Sequence, residues 1–389
     1  MANRPRDSSD GSPVSQLHAA RAFGLGAIAL FAPPPSSALR TIIAPSVPLI
    51  AGLTVVTAIN TIPLGDYESI KRVESVGTDH DVTIRIASDV PAGGPAKVNH
   101  VNVSRHILAA DLRNARTIRY GFADGDQPEF PGTTAIGMSA AVINDLRKSG
   151  KTVFGVLDEV QGMGGLVSAV FDAVTSGGDE PLSLGPNATG VIASVEAKPV
   201  AFTVLLNGAR VALPAWHMKG VLDKGTAPVH VECWVLDDPS NPLMLRYQIE
   251  KQKLEVIRID VPVADHGKAI ESELNATRRT ILYGVYFDFN SAELKPQSGA
   301  VLAQVTEVMR REPTWKIRIE GHTDSVGGDA AANKALSARR ADAVKAALVA
   351  RGIAATRLDT EGLGASAPRE TNGTLQGRAR NRRVELTRE

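Results

Sequence analysis

Two residues in the last quarter of the chain carry opposite charges in settings where a charge needs a partner. Asp324 closes the motif Gly321-His322-Thr323-Asp324, and Arg340 lies within Leu336-Ser337-Ala338-Arg339-Arg340-Ala341. Asn333 and Arg340 are two helical turns apart and flank Leu336, so they share one face of a helix. Along that face Leu336, Arg340, Val344, Ala347 and Leu348 form a stripe in which Arg340 is the only charge, while Arg339 is turned roughly 100° away toward solvent. An unpaired buried guanidinium costs several kcal/mol. Either Asp324 is its internal partner, or both groups face an outside ligand bearing both signs of charge.

The surrounding pattern predicts the elements that hold these groups. Lys316-Ile317-Arg318-Ile319-Glu320 alternates as a half-buried strand, and His322 to Gly328 reads as the turn out of it. Asp329 is an N-cap for a helix from Ala330 to Arg351 that stops at Gly352. Upstream, Val285, Phe287 and Phe289 read as the inner face of a first strand, and Pro296 suits the first turn of a helix with Val301, Leu302, Val305, Val308 and Met309 on its apolar side. Leu358 to Leu363 and a last stretch with Val384 and Leu386 supply further strands. The order βαβαβ with a final strand predicts a two-layer α/β sandwich with helices on one face.

Four stretches in this order carry a resemblance: Val285-Tyr286-Phe287-Asp288-Phe289-Asn290-Ser291-Ala292-Glu293-Leu294, the Gly-His-Thr-Asp turn, the Leu-Ser-x-x-Arg-Ala helix, and Gly377-Arg378-Ala379-Arg380-Asn381-Arg382-Arg383-Val384-Glu385. Together, over about residues 280 to 389, they resemble the OmpA-like peptidoglycan-binding domain. The resemblance implies that Asp324 and Arg340 hold the diaminopimelate residue of the peptide stem. It adds Asn333, Thr323, Asp288, Asn290, Arg382 and Arg383 to the expected binding set. The free end of diaminopimelate carries an ammonium and a carboxylate on one carbon; an aspartate accepts from the first and a guanidinium grips the second with two parallel bonds. Lysine-type stems lack that carboxylate, so discrimination follows. One departure from the family pattern is an extra residue between Gly327 and Asn333, where five residues stand in place of four; the Asn333 to Arg340 spacing is kept, so the loop or the first helical turn must absorb it.

His322 beside Asp324 has no serine or cysteine nucleophile in the motif, so a structural or hydrogen-bonding role is expected and no catalytic residue is assigned. The arginines from Arg378 to Arg383 do not read as a nucleic-acid site, because the chain's net charge is only +1 and no aromatic residues interleave with them. They read as a solvated face that attracts stem carboxylates.

The whole chain has 389 residues, 43% of them hydrophobic and 22% charged, which fits two or three globular domains with real cores. Its single cysteine, Cys233, gives no internal disulfide and no N-terminal site for lipidation, and it sits in a strand-like run as a small buried hydrophobe. Residues 1–39 read as disordered, or as a leader called from a start too far upstream. Residues 40–64 read as a signal peptide, with cleavage after Ala58, or as a transmembrane anchor, since no charge falls between Thr41 and Gly65. A retained anchor would be similar to the MotB-type stator proteins, but those rely on an aspartate in the span and none lies here. Residues 265–280 read as a helical linker to the domain at 281–389.

The front region, 65–264, is expected to be a mixed α/β piece followed by an antiparallel β-rich part. Asp81 to Ile86, Lys151 to Leu157, Val200 to Leu206, Val229 to Leu236 and Leu254 to Ile259 read as strands, Ser139 to Lys148 as a helix, Gly162 to Ala173 as a buried helix or loop, and Asn207-Gly208 as a hairpin turn. An outer-membrane barrel is disfavoured by the 4% aromatic content, low for girdles at both interfaces, and by the helix and the Gly-rich apolar run in the front region. His80, His100, His106, His217 and His230 lack metal-ligand spacing, and Asp111, Asp124 and Asp126 form no carboxylate pair, so no metal and no cofactor are expected. The reading is a periplasmic, outer-membrane-associated envelope protein, with inner-membrane anchoring through 41–64 as the alternative, that binds peptidoglycan and no nucleic acid, with a contact to the membrane through its N-terminal segment or to envelope partners, and room for a homodimer. The alternative is an envelope enzyme whose catalytic part is 65–264 and whose C-terminal domain only localises it.

Overall fold

Thr54-Val55-Val56-Thr57-Ala58-Ile59-Asn60-Thr61 is dominated by β-branched residues, the composition that suits a strand buried on both faces. In the computed structural model, which describes residues 47–61, 65–91, 98–120, 131–158, 188–223, 228–249, 252–262, 266–288, 290–326 and 329–389, this run is β1 (Thr54–Thr61). It lies between β2 (Gly65–Val76) and β13 (Gln252–Asp260), antiparallel to both, with Val55, Val56, Ala58 and Ile59 buried. Within the expected signal or membrane span over 40–64, Thr54–Thr61 is a central strand of the sheet, and cleavage after Ala58 would cut that strand in two. The lack of charge that reads as a span here serves a two-sided core. No described helix is long and apolar enough to cross a membrane.

The remaining front strands are β3 (Val82–Pro91), β4 (Val98–Ile107), β5 (Thr117–Tyr120), β6 (Thr133–Thr134), β7 (Lys151–Asp158), β8 (Ala188–Ser194), β9 (Val200–Leu206), β10 (Ala209–Asp223), β11 (Pro228–Leu236) and β12 (Met244–Ile249). With α1 (Ala109–Asn114) and α2 (Ala140–Ser149) they build one 13-stranded sheet in the order β4-β3-β2-β1-β13-β12-β11-β10-β8-β7-β5-β6. β9 pairs with both β10 and β13, which closes a circuit of β9, β10, β11, β12 and β13. Asn207 and Gly208, at φ 46° and 79°, make the tight turn between β9 and β10 that the Asn-Gly pair predicts. Cys233 is fully buried, and burial pushes its thiol pKa up. The stretch from Gly162 to Ala173 lies outside the described residues.

The C-terminal part consists of α3 (His266–Thr277), β14 (Arg279–Ile281), α4 (Gly299–Arg311), β15 (Ile317–His322), α5 (Ala330–Val349), β16 (Leu358–Gly364), α6 (Leu375–Asn381) and β17 (Val384–Arg388). Its sheet runs β14-β17-β15-β16, with only β15 and β16 parallel. The helix read as a linker belongs to this core: Ile270 and Leu274 of α3 pack in one cluster with Val305 and Met309 of α4, Ile319 of β15 and Val344 of α5. The expected first strand at Val285 to Phe289 is also replaced. Val285 and Phe287 do face the core, but among the described residues the segment forms only an isolated bridge between Phe287 and Leu294, Phe289 lies outside them, and the first strand is β14. Tyr286 points the other way, into a cluster with Val56, Ala58, Ile70 and Ile257 of the front sheet. Alternation here reports a segment sandwiched between two cores, not a ladder.

Candidate functional site

Close approach of a helix to a strand sets the position of Asp324. A Cβ on Gly321 would lie 2.0 Å from the Ser337 carbonyl oxygen, and one on Gly362 would lie 2.5 Å from the Ala338 nitrogen, so only glycine lets α5 rest this near β15 and β16. The Ser337 hydroxyl donates to Lys334 O and accepts from Gly364 N–H, each at 2.8 Å, which fastens α5 to the end of β16. Asp329 caps α5 as expected, accepting from Ala332 N–H at 2.7 Å. The extra residue of this chain falls immediately before or in this first turn, and Gly327 and Gly328 lie outside the described residues.

Asp324 is 7% exposed. Its Oδ1 accepts from Val326 N–H at 2.8 Å, an Asx turn, and its Oδ2 accepts from Arg382 Nη1 at 2.5 Å. Of the two readings of Asp324 and Arg340, an internal ion pair or a shared outside ligand, the first is not what the structure has: the arginine paired with Asp324 is Arg382. The register explains why: Gly321 pairs with Val384 across β15 and β17, and His322 N–H donates to Arg383 O, so Arg382 arrives beside the turn. Arg340 instead donates from Nε to Ser291 O at 2.9 Å and lies 4.9 Å over the Phe287 ring. No carboxylate among the described residues forms an ion pair with it. Burial first, then the Arg382 charge, push its pKa down to about 10, while Glu68 and Asp324 pull the other way.

Arg382 also reaches into the front sheet. Its Nε and Nη2 both donate to Oε1 of Glu68, a β2 residue opposite Ala58. Burial works to raise the Glu68 pKa, but the charges of Arg382, Arg258 and Arg340 outweigh it and hold the carboxyl below its usual range. Glu68 and Asp324 together hold the Arg382 pKa above its ordinary value against the cost of burial. The site is thus a quartet of Glu68, Asp324, Arg340 and Arg382. No sequence signal marks Glu68, because 314 residues separate it from Arg382.

Other expected site residues fall elsewhere. Asn333 is buried in the first turns of α5, and Asn290, at φ 50°, serves an exposed left-handed turn that asparagine tolerates. Thr323 is 5% exposed, and its hydroxyl has no hydrogen-bond partner among the described residues. Asp288 is engaged by Lys295 at 2.6 Å, and the same ammonium holds Asp89 of β3 at 2.6 Å. Arg383 is committed to Glu385 at 2.6 Å and to the carbonyls of Ala367 and Asn381, on the His322 side of the strand. His322 is 2% exposed with neither ring nitrogen hydrogen-bonded among the described residues, and burial, then the Arg383 charge, push its pKa down to about 4.

Among the described residues, two groups of acids and histidine come as close together as metal ligands do: Asp89, His100 and Asp288, and Glu320, His322 and Glu385. In both, basic side chains already sit among the carboxylates, Lys295 in the first and Arg279 with Arg383 in the second. In the front region a cavity of about 300 Å³ has Ile84, Ile107, Ile136 and Met138 in its wall, with His80 and Arg113 as its only ionisable groups among the described residues.

Residues 286–382 match the model of the OmpA family. Over 103 residues the chain is 44% identical to the probable lipoprotein YiaD of Escherichia coli, covering 26% of this chain and 47% of that protein. It is 42% identical over 126 residues to outer membrane protein A of Bordetella avium, covering 32% and 64%. It is 39% identical over 102 residues to the peptidoglycan-binding protein ArfA of Mycobacterium bovis, covering 26% and 31%. The matched stretch spans between about a third and two thirds of these relatives' own lengths. The strand, turn and helix that carry Asp324 and Arg340 lie inside it, and this part of the chain is an OmpA family domain.

Proposed function

We propose that the C-terminal domain docks non-covalently on peptidoglycan by taking the free end of diaminopimelate, and so tethers an envelope protein to the cell wall. The observation that supports this most is the placement of Asp324 and two guanidiniums, Arg340 and Arg382, at one strand-turn-helix junction. A carboxylate there accepts from the ligand's ammonium, and a guanidinium edge receives its carboxylate through two parallel bonds. A buried group set to receive both signs of charge rejects a stem that lacks one of them, because its own charge is then left unpaired. A relative named as a peptidoglycan-binding protein favours a cell-wall ligand, and the relative named as an outer membrane protein favours an envelope location.

Retention on purified diaminopimelate-type sacculi tests the reading. Asp324→Ala and Arg340→Ala are each expected to abolish retention of the full chain. Wild-type retention in both variants would sink it.

A further inference from the structure

The quartet is closed by a residue that belongs to another part of the chain. Glu68 presents a carboxylate to the Nε and Nη2 edge of Arg382, while Nη1 is taken by Asp324. That edge is the one with which a guanidinium grips a free carboxylate in parallel. Arg340 has its Nε on Ser291 O and its ring-facing plane on Phe287. Of the two guanidiniums of the site, Arg382 thus already holds a carboxylate where the acid group of an incoming zwitterion would bind.

The contacts that hold the front sheet here are of a reversible type. Around the quartet, Tyr286 donates to Asp260 Oδ2 at 3.1 Å and lies 4.7 Å below the Arg258 guanidinium. Lys295 joins Asp89 to Asp288, Arg210 of β10 pairs with Glu370, and Gln376 donates to Thr203 O at 3.2 Å. Apolar contact comes from Tyr286, Leu375 and Ala379 against Val56, Ala58, Ile70 and Ile257, and from the Tyr283 ring against Gly208. Interfaces between domains of one chain that are this polar come apart more readily than apolar ones.

We propose that the front sheet is an intramolecular cap on the peptidoglycan site, with Glu68 standing in for the ligand's carboxylate, so that the stem enters only when β2 moves off the C-terminal domain. This rests on the binding function proposed above. A cap that is closed most of the time lowers the measured affinity by the fraction of molecules that are open.

The test is sacculus retention of the full chain with Glu68→Ala, which removes the occupying carboxylate, and separately with Arg210→Ala, which loosens the interface away from the quartet. Circular dichroism establishes that both variants fold. Both are expected to bind diaminopimelate-type sacculi more tightly than wild type, Glu68→Ala by about tenfold and Arg210→Ala by less. If neither variant gains affinity while Asp324→Ala and Arg340→Ala lose theirs, the cap is overturned and binding stands. If Glu68→Ala binds more weakly than wild type, Glu68 belongs to the ligand site and the cap is overturned likewise. If Asp324→Ala and Arg340→Ala leave retention untouched, the binding reading falls and takes the cap with it.

Discussion

Gly321 sits so close to Ser337 that a single added carbon would overlap the serine's carbonyl oxygen. The contact is backbone against backbone, so no side-chain rotation relieves it. Gly321→Ala must push α5 away from β15 and is expected to cost about 1–3 kcal/mol, the usual range for overpacking a tight core. Urea unfolding measures this, and an unchanged midpoint would refute the packing argument. The same variant is expected to lose sacculus binding, because Asp324 and Arg340 ride on the two elements that separate.

Arg340→Lys keeps the charge and discards the fork. The lysine has no Nε–H group to offer Ser291 O and no planar edge for a carboxylate. Retention on diaminopimelate-type sacculi is expected to fall by about tenfold, equivalent to one charge-assisted bond of roughly 1.5 kcal/mol. Wild-type protein is expected to bind lysine-type sacculi no better than this variant binds its preferred wall. Equal retention of wild type on both walls would refute recognition of the second carboxylate.

His322 gives the stability a definite dependence on pH. Its folded pKa is pushed down to about 4, whereas an unfolded histidine titrates near 6.5. Between those values the unfolded chain holds more protons, so the contribution is fully present above about pH 6.5 and is lost as the pH falls toward about 4. The gap corresponds to about 3 kcal/mol at most. Glu385, also lowered, adds its loss at the acid end of the range. His322→Gln is expected to flatten the urea midpoint across this window. A variant that loses as much stability as wild type on acidification would contradict the assignment.

Lys295 is the cation on which Asp89 and Asp288 converge, and all three side chains are largely covered. Lys295→Met removes the ammonium that both carboxylates share and leaves Asp89 with the His100 ring, whose Nδ1 lies 3.0 Å from it. The expected cost is about 3 kcal/mol, as for breaking a buried pair from one side. Thermal unfolding should show a lower transition, and restoration by the double variant Lys295→Met with Asp89→Asn would tie the loss to the missing ammonium between the two carboxylates.

Much of the C-terminal domain was legible because its local signals agree with its packing. Asp329 caps α5, Gly352 at φ 93° ends it, and Val301, Leu302, Val305, Val308 and Met309 are all buried where their spacing placed them. In the front region β9 begins and ends where its apolar run does, and the Asn207-Gly208 turn follows from residue chemistry alone. What failed were segments whose environment is set by distant residues. Thr54 to Thr61 lacks charge because two sheet neighbours bury it, and nothing local separates that from a membrane span. Val285 to Phe289 alternates because one side meets the C-terminal core and the other the front sheet. For the site, residue types pointed to Asp324 and Arg340, but pairing Asp324 with Arg382 needs the β15–β17 register, and Glu68 needs the whole tertiary arrangement.

The place of β1 has a further consequence for how the chain comes to be folded. Thr54 finds its partner Asp260 only across about 200 residues of sequence, a separation that makes closure of the sheet slow. While it waits, an apolar strand early in the chain has one open edge, a template for mispairing that invites chaperone protection. The last domain faces no such delay, since its strands and helices are drawn from one contiguous stretch beginning at α3. It is expected to reach its native state independently of when the front sheet finds its own.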